Sequence, residues 1–341
     1  MKILHFSESF GGGVTTAILS YARSSNFEDH YFSGFIRQND LTGDESKLPP
    51  EKTKFFPRTL KGILELYRHI ETLNPEVIHL HSTFAGVIGR ILPFPRDRIV
   101  YTPHGYSFLR RDGYGLRGFY YFVEYVLSFR TRFLAACSTD ELARSRALFP
   151  NRKLVELVNI SEIECQKVRP LELYSSINRP TIGMLGRVCQ QKGVDFFLDV
   201  VGELGESYEF VWIGGGDATL VSRLSEAGVT VTGWLSRSAA LERLSSIDLY
   251  LHCAAWDGFP ISVLEAAHIG LPILLRKISP FDAENLTSYS SPHEVAEEIR
   301  SLFITPSTWK SASNAESIRN YHSAPRLADS IDQLYSKFLH N

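Results

Sequence analysis

The sequence predicts an α/β protein of two doubly wound domains, on three observations. Short apolar runs of strand length alternate with helical segments along nearly all of its 341 residues, the pattern of parallel sheets with helices on both faces. That length is more than one core takes and suits two. The periodicity lapses between Val158 and Thr181, where Pro170, Asn178 and Pro180 break the chain. The expected division is a first domain over 1–165, a link over 166–180, a second domain over 181–322 and a terminal stretch, 323–341, carrying an amphipathic helix near 326–339.

In the first domain residues 2–6 form a buried strand, Gly11-Gly12-Gly13 breaks the chain, and a helical pattern runs over 14–24. Strands are expected at 30–36, 54–56, 77–81, 99–102, 134–137 and 154–158, with helices near 60–73, 84–91, 116–129 and 139–148. In the second domain strands are expected at 181–185, 210–213 and 247–253, a strand ending in a loop over 229–235, and a helix after Gly193 through Leu204. The order is Rossmann-like, so loops at the carboxyl edge of each sheet should carry function. His81, His104-Gly105 and Ser138 fall at such edges. His79 and His81 flank Leu80 and are expected on different faces, which argues against a His-x-His metal pair.

Composition excludes several classes. With 44% apolar and 22% charged residues the chain is ordinary globular protein, and a formal charge of −2 gives no reason to expect nucleic acid. Cys137, Cys165, Cys189 and Cys253 form no Cys-x-x-Cys pair and are expected as reduced thiols in a cytoplasmic protein. The chain opens directly into a strand, so no signal peptide is indicated, and no apolar run reaches the roughly 18 residues of a membrane span. Glycine turns at 11–13 and 214–216 both miss G-x-G-x-x-G, which disfavours a dehydrogenase.

Residues 247–275 organise the second domain as strand, loop, helix and strand. Pro260 suits the first turn of a helix that closes at Gly270-Leu271-Pro272. Its amino end opens at the carboxyl edge of the sheet, where free N–H groups and the positive end of the dipole favour an anion. Asp257 precedes that end and Glu265 lies about one turn inside it. Two carboxylates suit hydroxyl donors such as a sugar or ribose diol. The plain structural alternative makes Asp257 a helix cap and gives Glu265 a surface partner. Upstream, Gly186-Arg187 and Lys192-Gly193 place two cations five residues apart across a strand-end loop, able to converge on one anion.

The run D-G-F-P-I-S-V-L-E-A from Asp257 to Ala266 resembles the donor-site signature of retaining nucleotide-sugar glycosyltransferases of the GT-B fold, family 4 type. That pattern is Glu-Gly-Phe, a short apolar stretch, then Glu-Ala; Asp257 stands where Glu is usual, a carboxylate one methylene shorter. G-R-x-x-x-x-K-G matches the pyrophosphate-binding pair of the same family. Its Pro-Asn-Gly-Val-Asp link is departed from, since Val158-Asn159-Ile160-Ser161 keeps Asn and loses Gly.

The resemblance implies two Rossmann-like domains facing across a cleft, the terminal helix packing back onto the first. It implies catalytic roles for His104, Asp257, Arg187 and Lys192, the His104 of Y-T-P-H-G reaching the donor sugar. It implies donor contacts from Gly12, Gly13, Arg187, Lys192, Trp234, Leu235, Asp257, Gly258, Phe259, Pro260 and Glu265, with Glu265 on the ribose and the 229–235 loop on the base. The implied reaction is metal-independent transfer from a nucleoside-diphosphate sugar to a saccharide or lipid-linked acceptor in bacterial surface polysaccharide synthesis. No enzyme nucleophile is implied; the departing phosphate oxygen takes the acceptor proton. Alternatives are an inactive sugar-nucleotide-binding protein and a same-fold epimerase.

Residues 90–133 interleave Arg90, Arg96, Arg98, Arg110, Arg111, Arg117, Arg130 and Arg132 with Phe108, Tyr114, Phe119, Tyr120, Tyr121, Phe122, Tyr125 and Phe129. That mixture suits peripheral contact with an anionic membrane, on the inner face of the cell membrane, or an acceptor bearing phosphate and lipid. Core aromatics beside a solvated basic face would look the same in sequence.

Overall fold

A computed structural model describes residues 1–36, 44–109, 114–150, 152–166 and 169–339. The chain divides into two compact units, 1–160 with 323–341, and 161–322.

The first unit holds β1 Lys2–Ser7, β2 Asp29–Phe35, β3 Thr53–Phe56, β4 Val77–His81, β5 Ile99–Thr102, β6 Phe133–Ala136 and β7 Lys153–Glu156. Helices α1 Gly12–Ser24, α2 Leu60–Leu73, α3 Ser82–Ile91, α4 Tyr114–Ser128 and α5 Thr139–Leu148 alternate with them. The sheet is parallel in the order β3-β2-β1-β4-β5-β6-β7. Strands with both faces covered read as near-continuous apolar runs, and Ile3, Leu4, Phe6, Val77, Ile78 and Leu80 are buried accordingly.

The second unit holds β8 Thr181–Leu185, β9 Glu209–Ile213, β10 Thr230–Val231, β11 Leu249–His252 and β12 Ile273–Leu275, with α6 Val194–Leu204, α7 Ala218–Glu226, α8 Arg237–Ser245, α9 Ile261–Ile269, α10 Ser279–Ala283, α11 Pro292–Ile304 and α12 Asn314–Tyr321. This sheet is also parallel, in the order β10-β9-β8-β11-β12. The stretch 229–235, expected as a strand ending in a loop, is a two-residue strand that passes into a loop in which Gly233 has φ +70°. Tyr174, within the segment expected as the link, is buried in this unit's core. α13 Ala324–Ser336 then returns to the first unit, where Asp332 accepts from the Asn26 amide at 2.8 Å and Arg326 pairs with Glu156 at 2.7 Å.

Each order reverses direction once, between β1 and β4 and between β8 and β11. Ligands of open parallel sheets bind at the carboxyl ends of strands beside such a switch point. The loops selected are those after β1, β4 and β5 in one unit and after β8 and β11 in the other.

The expectation for His79 and His81 is corrected. Residues two apart on a strand share a face, and their ring centroids lie 4.1 Å apart. His5, in register with His79 on β1, joins them, and His30 of β2 is hydrogen-bonded to His5 at 2.9 Å. Ligand nitrogens of His5, His79 and His81 all lie within 4.8 Å of one another. Every one of those nitrogens already has a hydrogen-bond partner, His79 through Tyr335 and Thr102 at 2.9 and 2.8 Å, so the trio is a satisfied polar core.

Burial holds His5, His79 and His81 well below the ordinary imidazole range and takes His30 down to about 4. A folded value below the unfolded one means that the unfolded chain takes up protons first. Stability should therefore be fully present above about pH 6.5 and fall as the medium is acidified, each ring contributing up to ~1.4 kcal/mol per pH unit. Urea midpoints between pH 7.5 and 4.5 should drop steeply below 6.5; a flat profile would mean the rings are protonated inside the fold.

Candidate active site

In the second unit the loops after β8 and β11 are stitched together. Gln191 accepts from the Ala255 amide at 2.9 Å, and its own amide donates to the Trp256 carbonyl at 3.2 Å. Gly193 sits at φ +77°, and a Cβ there would stand 2.0 Å from the Cys253 carbonyl oxygen, so only glycine lets the two backbones approach. Lys192 thereby reaches Asp257, Nζ to Oδ2 at 2.5 Å, while Asp257 Oδ1 accepts from the Gly258 amide at 2.9 Å. Burial pushes the Asp257 carboxyl up, but the Lys192 ammonium and these bonds outweigh it and leave it below the usual range.

Asp257 does not cap α9. Among the described residues no side chain does, so the leading amides of that helix stay available to an anion. Phe259 is buried against Phe281 and the His322 ring, and His322 pairs with Glu284 at 2.9 Å, which fixes the turn at Gly258-Phe259-Pro260 from behind. Arg187 is exposed, and its side chain makes no ion pair among the described residues.

Glu265 departs from the plain structural alternative of a surface partner. It is 2% exposed and ion-paired with Arg237, the first residue of α8. Arg237 was not legible, since it lies on another element 28 residues upstream. Trp234, 45% exposed, lies against the Gly214-Gly215-Gly216 turn, and Leu235 follows it, also exposed. Gly214 donates to the Thr232 hydroxyl at 3.0 Å, closing that side of the strand edge. His252, another unforeseen member, ends β11 fully buried; burial and the nearby Lys192 take it down to about 3, so it stays neutral.

In the first unit Gly12 opens α1 at φ +61°, and a Cβ there would meet nothing within 4 Å, so the Gly12-Gly13 backbone is open to a ligand. His104 follows β5 at φ +52° and is hydrogen-bonded through Nε2 to His81 Nδ1 at 3.1 Å. Burial holds it down at about 3. The turn is clamped by Glu141, which accepts from the Gly105 amide at 2.6 Å and from the Cys137 amide at 3.0 Å. Burial raises Glu141 to about 7. Ser138 is the cap of α5, accepting from the Glu141 amide.

The basic-aromatic stretch separates into two parts. Arg90 is buried on Glu124 at 2.8 Å and over the Tyr101 ring at 3.8 Å. Arg98, Arg130 and Arg132 donate to Asn74 or to backbone carbonyls, and Arg117 donates to the Phe108 carbonyl. Those arginines hold the fold together and do not form the free basic face that was expected. Arg110 and Arg111 lie outside the described residues. The aromatic part is a surface: Leu116, Phe119, Tyr121, Phe122, Tyr125, Val126 and Phe129 are exposed along and just beyond α4. Among the described residues no helix is long and apolar enough to cross a membrane.

Residues 11–157 match the family described as Glycosyltransferase Family 4, and residues 179–304 the one described as Glycosyl transferases group 1. Sucrose-phosphate synthase from Thermosynechococcus elongatus superposes with a TM-score of 0.79 at 13% identity, covering 99% of both chains. The chain is a GT-B glycosyltransferase. Relatives of this glycosyltransferase include a 41.2 kDa uncharacterised protein of the cps region of Klebsiella pneumoniae, 23% identical over 302 residues, 82% of each chain. The UDP-Gal:α-D-GlcNAc-diphosphoundecaprenol α-1,3-galactosyltransferase of Escherichia coli is 21% identical over 246 residues, 65% of this chain and 63% of that one.

Arg237→Ala should remove the ion pair from the buried Glu265 carboxylate and cost about 2 kcal/mol in chemical denaturation. Adding Glu265→Gln should recover part of that loss. No loss in the single variant would show that the pair carries no stability.

Proposed function

We propose that this chain is a retaining glycosyltransferase that moves a sugar from a nucleoside-diphosphate donor to a saccharide or lipid-linked acceptor, in bacterial surface polysaccharide synthesis. The observation that carries the reading is the Lys192 ammonium held by Asp257 beside the uncapped amino end of α9, at the switch point of the second sheet. The names of the relatives, one from a cps region and one a UDP-galactose transferase, support the pathway and the donor class.

In this reading the bond from the anomeric carbon to the phosphate oxygen breaks as the acceptor oxygen bonds on the same face. Charge gathers on the departing diphosphate, which takes the acceptor proton. Arg187, Lys192 and the α9 amides stabilise that charge. Asp257 with the Gly258-Phe259 main chain positions the donor sugar, Glu265 accepts from the ribose hydroxyls while Arg237 orients it, and Trp234-Leu235 border the base. For His104, Gly12 and Gly13 the assignment rests on the resemblance of their loops. The cations and amides supply the positive charge that a metal would otherwise bring, so the reaction is proposed to be metal-independent, with no cofactor besides the donor.

We further propose peripheral attachment to the inner face of the membrane through the aromatic surface of α4. Its arginines being largely engaged within the fold, insertion of Phe119, Phe122 and Phe129 rather than charge drives attachment.

Lys192→Ala should lower transfer at least about a hundredfold with the fold intact by circular dichroism. Near-normal turnover would remove the diphosphate assignment. Transfer should persist in excess chelator; a loss that added magnesium restores would overturn the metal-free mechanism. Phe119→Ser with Phe122→Ser should release the chain from phosphatidylcholine vesicles and from vesicles containing phosphatidylglycerol alike in flotation. Retention on the anionic vesicles alone would return the contact to electrostatics.

A further inference from the structure

In the first unit His104, His81, His5 and His30 are joined in series. His104 Nε2 lies 3.1 Å from His81 Nδ1, His81 Nε2 lies 3.0 Å from His5 Nδ1, and His5 Nε2 lies 2.9 Å from His30 Nδ1. Ring centroids are 5.3, 5.2 and 5.1 Å apart with planes tilted 27°, 23° and 20°. Two imidazoles meeting edge to edge through one N–H···N bond have centroids about 5 Å apart, so each contact is an in-line hydrogen bond rather than a face-to-face stack.

A neutral imidazole carries one proton and one lone pair on its two nitrogens, and each N···N contact needs one of each. Fixing the protonated nitrogen of any one ring therefore fixes all four. Only two arrangements satisfy every contact, one running from His104 toward His30 and one running back. A ring that carried a second proton would donate from both nitrogens and force its neighbours to run outward from it, removing the choice between the two arrangements; burial keeps these rings neutral. The far end is buried, with His30 5% exposed.

We propose that His81, His5 and His30 are positioning residues that, as one two-state hydrogen-bonded array, decide whether His104 presents an N–H or a lone pair from Nδ1. This rests on the reading of His104 as a donor-sugar contact. It adds that the hydroxyl recognised there is chosen by proton order set three rings away, in strands β4, β1 and β2. The array is carried by position alone: the period of two puts His5, His79 and His81 on one face, and the parallel register sets His5 beside β2.

The test is long-range proton–nitrogen correlation on the intact chain labelled with 15N-histidine at neutral pH. All four rings are expected as single tautomers running in the same sense; neighbours of opposite sense, or averaged shifts, would overturn the array. His5→Phe, which keeps an aromatic ring beside Phe32, should then leave His104 as a mixture of tautomers. It should lower kcat about tenfold with little change in the KM for the donor. An unchanged His104 spectrum in that variant would also overturn the proposal. His104→Ala separates the two claims: if that variant transfers normally, the catalytic reading of His104 fails while the tautomer pattern of the wild type still stands or falls by itself.

Discussion

The second unit's site depends on one ion pair at a seam between two loops. Asp257 is largely withdrawn from water, which by itself would favour the neutral acid, and Lys192 with the Gly258 amide keeps it ionised. The pair exists only because the backbones behind it touch, Gly193 against the Cys253 carbonyl and Gln191 against Ala255. Those contacts follow from β8 and β11 being neighbours in a parallel sheet. Sheet order thus sets the position of the cation, and a glycine with no side chain to interfere allows it. An ammonium has three donors, so Lys192 can keep Asp257 and still offer an N–H to a phosphate oxygen.

Much of this was legible. Strand-length runs broken by helical segments gave both parallel sheets, and the reading of 247–275 put Asp257 in the loop before α9 and Glu265 about one turn inside it. Contacts fixed by distant partners were not. Glu265 finds its counter-charge on α8, and Glu141, which holds the His104 turn, comes from the helix after β6. Neither pairing leaves a local pattern. The histidines are a different case, because a period of two could have placed His79 with His81, and only their arrangement with β1 and β2 needed the sheet order.

Residues 90–133 show why adjacency in sequence is weak evidence for a surface. Arg90 lies within the core with Glu124 and Tyr101, and Arg130 serves three carbonyls of the segment before β5. A guanidinium with five donors suits such tasks, so a run rich in arginine can be a set of internal braces. What reaches solvent is the aromatic side of α4, and contiguous exposed apolar surface is the part that calls for a partner.

The second unit's candidate site is cationic and the first unit's histidines are neutral, and the chemistry proposed for them calls for that difference. A departing diphosphate gathers charge, so the groups facing it should carry fixed positive charge before the reaction begins, as Lys192, Arg187 and an uncapped helix end do. A sugar hydroxyl stays neutral, so a neutral partner can bind it without the cost of burying a charge. Neutral imidazoles avoid that cost, because burial that penalises a charge leaves a proton donor and a lone pair intact. The depressed values of His104 and its neighbours then keep both senses of the series open, since a ring charged by one added proton would donate from both nitrogens and fix its neighbours' orientation.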